Sequence, residues 1–221
     1  MDANDWLRVD EQSDVLVSLD ECLNCVRRVR EEPAFWKWAI LSIHNALQGA
    51  IVCHLSGTAQ LGALAKRSVI ASLEWHERDR GGEIKKVLDG SDEWGLPVYR
   101  LEREEDAFPD QWLADPGTLF ERLHREDRRC EGGAGAVIEV TREQRKSFRR
   151  LNSLRKNFAH FTPRGWSIEL AGLPGILLDV LGVIDRIAAD PWPFRHMDNQ
   201  ARERLERILP QLRSELALLE T

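Results

Sequence analysis

Apolar residues recur along most of this chain at three- and four-residue intervals, the spacing of helices that bury one face. Val15, Leu16, Leu19, Leu23, Val26 and Val29 trace the first such face and predict a helix from about Asp14 to Glu31. Pro33 suits the first turn of a second, apolar helix running through Trp36, Ile40, Ile43, Leu47 and Ile51 to Leu55. Gly57 stops it, and Thr58 is placed to cap a third helix through Leu61, Leu64, Ile70 and Leu73. From about Arg80 to Gly135 the pattern weakens under glycines and prolines and reads as an insertion, with one helix starting at Asp115-Pro116 and carrying Leu119, Phe120 and Leu123. Gly132-Gly133-Ala134-Gly135 lacks the Lys-Ser/Thr of a phosphate-binding loop and reads as a flexible connector.

The pattern returns sharply after Thr141-x-x-Gln144, a capping box. Phe148, Leu151, Leu154 and Phe158 form the buried stripe of the helix it opens. Trp166 to Leu170 reads as extended. Pro174 opens an apolar helix to about Ala189, and a last amphipathic helix spans about Gln200 to Leu219, with Pro210 expected to bend it. The fold class is therefore all-α: a single helical domain over residues 1–221, interrupted by a partly irregular insertion at about 80–135.

Composition narrows the class. Apolar residues are 43 % and charged residues 31 % of 221, the profile of a globular chain with an ample core. The longest apolar stretch, Trp36 to Leu55, is broken by Lys37, His44, Asn45, Gln48 and His54, so no membrane partner is expected. The N-terminus, Met1-Asp2-Ala3-Asn4-Asp5, has neither the basic nor the apolar region of a signal peptide, and a cytoplasmic location is expected. The net charge of −6 argues against a protein that coats nucleic acid. Its distribution says more: Arg142, Arg145, Lys146, Arg149, Arg150, Arg155 and Lys156 fall within fifteen residues that contain one acid, Glu143. A local basic patch on an acidic body suits contact with a few phosphates.

Candidate metal and aromatic sites are weaker. Cys22 and Cys25 have zinc-ligand spacing, but no second pair follows and both lie inside an amphipathic helix, so they read as small buried hydrophobes. No metal and no cofactor is expected. His54, His76, His124 and His196 form no constellation and default to the surface. The eight tryptophans read as core residues, with Trp166 alone retained as a stacking surface because it follows the basic helix.

That helix ends in Arg155-Lys156-Asn157-Phe158-Ala159-His160, just before Thr162-Pro163. Proline disfavours helical geometry at the residue before it, so the helix should end by about Thr162, leaving His160 in its last turn. On an ideal helix Arg155 and His160 point roughly 140° apart, so His160 must leave the helix axis to act with Arg155. Arg grips phosphate through a planar fork and His changes charge near neutral pH.

This Arg-x4-His pattern, on a helix of an all-helical chain, resembles the signature of the HEPN superfamily, which includes many metal-independent ribonucleases. The resemblance implies a HEPN-like helical bundle in which two copies meet to build one site, and an endoribonuclease of a defence or toxin system. It implies Arg155 and His160 as the catalytic pair, with products ending in a 2′,3′-cyclic phosphate and a 5′-hydroxyl. Lys156, Asn157, Arg149 and Asn152 are the candidate substrate-binding residues. His44 and Asn45 are the site-adjacent candidates, because with Gln48 they interrupt the apolar second helix and require polar partners. RNA, a second copy of the chain and an antitoxin or other partner protein are the expected partners. HEPN toxins regulated by nucleotide transfer carry a Tyr two residues after the His; this chain has Thr162 there, and its only tyrosine is Tyr99. The alternative is a non-catalytic module of the same fold that binds a protein, RNA or nucleotide.

Overall fold

The computed structural model describes residues 9–130, 133–160, 163 and 165–220. The N-terminal acidic stretch, Gly132, Phe161 and Thr162 lie outside the described residues. The described chain is predominantly helical, and no helix in it is long and apolar enough to cross a membrane. It divides into two compact units, one formed by residues up to 63 and from 116 onward, the other by 64–115.

In the first unit, α1 (Glu11–Arg28) starts three residues earlier than the apolar spacing suggests. Asp10 is its cap: its carboxylate accepts from the Ser13 N–H at 2.7 Å, and Ser13 Oγ accepts from the Asp10 N–H at 3.1 Å. The helix buries Val15, Leu16, Leu19, Leu23 and Val26 against α2 (Phe35–Leu55). Fourteen side chains of α2 are buried, among them Trp36, Ile40, Ile43, Leu47 and Ile51. A helix apolar on nearly every side must be enclosed, and α1, α4 (Pro116–His124), α5 (Arg142–Ala159) and α6 (Leu173–Ala189) all pack on it. The last helix, α7 (Asn199–Ala217), closes the bundle against α1 and α6 and carries Pro210 inside it. Phe120 of α4 stacks on Phe148 of α5 with ring centroids 3.9 Å apart.

The third helix is a correction. Residues 57–65 are not helical, and α3 begins only at Lys66. Leu61 and Ala63 are buried nevertheless, in a turn where Gln60 takes a φ of 54°. Gly62 sits so tightly there that a Cβ would lie 2.0 Å from the Leu55 carbonyl oxygen. Apolar residues in a buried loop mimic a helical stripe when read by spacing alone.

The second unit holds α3 (Lys66–Arg80) and an antiparallel hairpin, β1 (Lys86–Ser91) and β2 (Pro97–Leu101), paired Lys86 to Leu101 and Ser91 to Pro97. The Asp92 carboxylate accepts from the Trp94 and Leu96 N–H groups at the hairpin tip, where Gly95 has a φ of 77°. Arg78 pairs with Asp106, whose carbonyl accepts from Trp75 Nε1 at 2.8 Å. Sequence spacing placed α3 with the bundle and α4 in the insertion; by compactness each belongs to the other unit. The hairpin was not legible, because a two-stranded ribbon exposed on both faces shows no alternation of apolar and polar residues. No strand forms at 166–170.

Leu151 is fully buried on α5. Leu151→Ala is expected to lower unfolding stability by about 3 kcal/mol, measured by urea denaturation. A loss under about 1 kcal/mol would mean that this stripe is not packed in the core.

Candidate functional site

Helix α5 is built by two opposed requirements. Its capping box forms as the sequence predicts, with Thr141 Oγ1 accepting from the Gln144 N–H and Gln144 Oε1 accepting from the Thr141 N–H. One face buries Gln144, Ser147, Phe148, Leu151 and Leu154, and Ser147 Oγ donates to Asp179 of α6 at 2.6 Å. The other face exposes Arg142, Lys146, Arg149, Arg150 and Lys156, while Arg145 and Arg155 are half-buried at its edges.

Elsewhere cations pair readily: Arg27 with Glu215, Arg125 with Glu121 and Asp127, Arg204 with Asp20 and Arg213 with Asp185. None of the seven cations of α5 has a carboxylate within 4.0 Å among the described residues. Like charges three and four residues apart on a helix repel, so this face carries a small electrostatic cost that an anionic partner would relieve.

His160 is the C-cap of α5, with φ −125° and ψ 78°. The backbone has left helical geometry, although its N–H still donates to the Lys156 carbonyl at 2.9 Å. The imidazole is exposed and makes no hydrogen bond among the described residues. A ring so placed is free to reach an external group.

One and a half to just over two turns before it, the bundle gathers three of the sequence-predicted residues. His44 of α2 is 1 % exposed, and its Nε2–H donates to Asn152 Oδ1 at 3.3 Å. That bond leaves the Nδ1 lone pair without a partner among the described residues. Burial drives the His44 pKa from its ordinary 6.5 down to about 4; the Asn152 bond opposes this, and the nearby Arg155 guanidinium adds to it. At neutral pH the ring is uncharged and holds the Asn152 side chain, leaving the Asn152 amide N–H groups as donors beside Arg155. Asn45 is exposed, turned about 100° from His44 on the helix. Lys156, Asn157 and Arg149 are exposed on α5. Trp166 packs on Phe158 with ring centroids 4.8 Å apart and stays 38 % exposed.

His54, expected at the surface, is instead fully buried. Its Nε2–H donates to the Ala136 carbonyl at 2.7 Å, and its Nδ1 lies 3.8 Å from Asp190, which accepts from the Ala136 N–H. Desolvation lowers its pKa. Only tertiary packing of residues 133–136 onto the end of α2 creates this cluster, and spacing carries no signal for it. Cys22 and Cys25 are buried, donating to the Ala39 carbonyl and to Glu21, and burial raises both thiol pKa values, Cys25 to about 12. Among the described residues no group of three His, Cys, Asp or Glu gathers to hold a metal ion.

Comparison with protein-family models, with curated proteins and with solved structures finds no match.

His44 has a folded pKa below its unfolded value, so protonation at low pH favours the unfolded chain and stability falls between about pH 6.5 and pH 4. Urea denaturation at pH 7 and pH 5 is expected to show a smaller loss for His44→Gln than for wild type. Equal losses would show that the His44 ring is not the group titrating in this window.

Proposed function

We propose that this chain is a HEPN-like helical bundle that acts as a homodimeric, metal-independent endoribonuclease in a defence or toxin system. One observation carries the reading: a helix face of cations without acid partners among the described residues leads to an exposed imidazole that none of those residues hydrogen-bonds, with Arg155 and Asn152 on the same helix just before it. RNA is the partner whose chemistry this arrangement fits, since phosphates would neutralise the face and an imidazole can move the proton of a ribose hydroxyl.

In the proposed reaction His160 takes the proton of the 2′-hydroxyl, and the 2′-oxygen attacks the adjacent phosphorus. The bond to the 5′-oxygen breaks, and that oxygen takes a proton from an acid. The products are a 2′,3′-cyclic phosphate and a 5′-hydroxyl. Arg155 stabilises the charge that develops on the non-bridging oxygens. Asn152, fixed by His44, donates to the same phosphate or to the ribose. One imidazole does not act as base and acid in the same step, so His160 of a second copy supplies the leaving-group proton. Arg149, Lys156 and Asn157 hold the flanking strand. An antitoxin or other partner protein would act by covering this face.

A second reading is a binding module of the same fold. It is favoured by the half-burial of Arg155 beside the enclosed His44 ring, an arrangement suited to holding α2 and α5 together.

Labelled RNA incubated in EDTA separates the two. The wild type is expected to yield cyclic-phosphate ends, and His160→Ala and Arg155→Ala are each expected to slow cleavage by at least about 100-fold. Binding of RNA without cleavage by wild type and both variants, all folded, would select the binding module. Equal cleavage by all three would place the chemistry elsewhere.

The basic face yields a separate expectation. Arg149→Gln with Arg150→Gln should weaken RNA binding for every sequence alike and flatten the logarithmic salt dependence by about two phosphate contacts. Fluorescence anisotropy at several salt concentrations checks this, and an unchanged slope would remove the face from the RNA path.

A further inference from the structure

The opposite end of α5 holds a second assembly of cations, and it encloses space. A solvent-facing cleft of about 440 Å³ lies between the 137–141 segment, the end of α4, the start of α5 and the last turn of α6. This volume falls within the range of small-molecule sites. Two guanidinium groups enter it. Arg145 Nη1 donates to the Val140 carbonyl at 2.8 Å, and Arg186 Nη1 donates to the Glu139 carbonyl and to Gln144 Oε1. Each is thus anchored by one nitrogen, and neither has a carboxylate within 4.0 Å among the described residues. Their remaining N–H groups stay available in a fixed fork, the geometry that matches phosphate oxygens.

Other features fit the same ligand. His124 lines the cleft with its ring fixed, donating from Nδ1 to the Phe120 carbonyl at 2.6 Å. Glu139 is the one acid among the lining residues, so the two guanidinium groups are in excess. Val137 and Val140 supply apolar wall. Thr141 and Gln144 already occupy each other's cap hydrogen bonds, so the side-chain cations, and not the helix end, make the site.

We infer that this cleft binds the phosphate of a small phosphomonoester, gripped by Arg145 and Arg186, with the organic part of the ester against Val137 and Val140. The site is separate from the one around His160, since the 18 residues of α5 place its two ends roughly 27 Å apart. It does not rest on the proposed ribonuclease activity. The phosphomonoester has two possible sources, a free small molecule or the phosphorylated end of a nucleic-acid strand.

Titration calorimetry of the whole chain with phenyl phosphate and with phenol tests this. Phenyl phosphate is expected to bind saturably and phenol not at all, with Arg145→Gln weakening binding by about tenfold or more. Arg145→Lys, which keeps the charge and loses the fork, should fall between wild type and Arg145→Gln. Thermal unfolding of each variant shows whether a loss is local. Oligodeoxynucleotides with a 5′-phosphate or a 5′-hydroxyl then separate the sources: a preference for the phosphorylated end that Arg145→Gln abolishes assigns the site to strand ends, and no preference assigns it to a free phosphomonoester. Absence of phenyl phosphate binding by folded wild type up to about 10 mM, or equal binding by Arg145→Gln, overturns the inference.

Discussion

Helix α2 has little polar surface to offer water, and the arrangement of the first unit follows from enclosing it. Ile40, Ala46 and Val52, all buried and roughly 120° apart around the helix, point in directions that no single neighbour can cover. Four helices therefore converge on it, and their own apolar stripes are satisfied in the same contacts. The enclosure also traps two imidazoles. His44 and His54 are carried inward by the helix whether or not their polarity suits the site, and each needs a partner from another element. His44 finds Asn152 on α5, and His54 finds the Ala136 carbonyl. Each bond fixes one of the elements that surround the candidate sites.

The same enclosure gives α5 its asymmetry. Phe148, Leu151 and Leu154 anchor one face in the core, Ser147 ties it to α6, and the opposite face is left in water, its cations without carboxylate partners among the described residues. A helix held this firmly does not need surface ion pairs for stability, which contribute little in any case. Its ends differ in what surrounds them. At one, His160 breaks from helical geometry five residues after Arg155; at the other, Arg145 and Arg186 are fastened to carbonyls around a cleft. A single basic helix thus presents two chemically distinct anion sites, one suited to moving a proton and one suited to holding a charge.

Much of the bundle was legible as pattern. The stripes of α1, α2, α5, α6 and α7 and the Thr141 capping box follow from local periodicity and cap chemistry, and they appear within a few residues of where spacing places them. The elements that were not legible share a physical cause. Leu61 and Ala63 are buried in a loop, and β1 and β2 are exposed on both faces, so neither shows the periodicity that tells helix from strand. Asp10 was not legible as a cap because Asp10-x-x-Ser13 lacks the Glu or Gln three residues on that marks the usual capping box.

Of the candidate site, the sequence by itself determined the chemistry: which residues carry permanent charge, which imidazole follows the helix, and that polar groups inside an apolar helix would need partners. Tertiary structure alone decided who those partners are. It set His44 against Asn152 beside Arg155, buried His54, left His160 open, and brought Arg186 to Arg145 across 41 positions of chain. Local pattern reports the environment a residue requires, whereas the identity of its neighbour depends on how separate helices cross, and spacing along one helix holds no record of that.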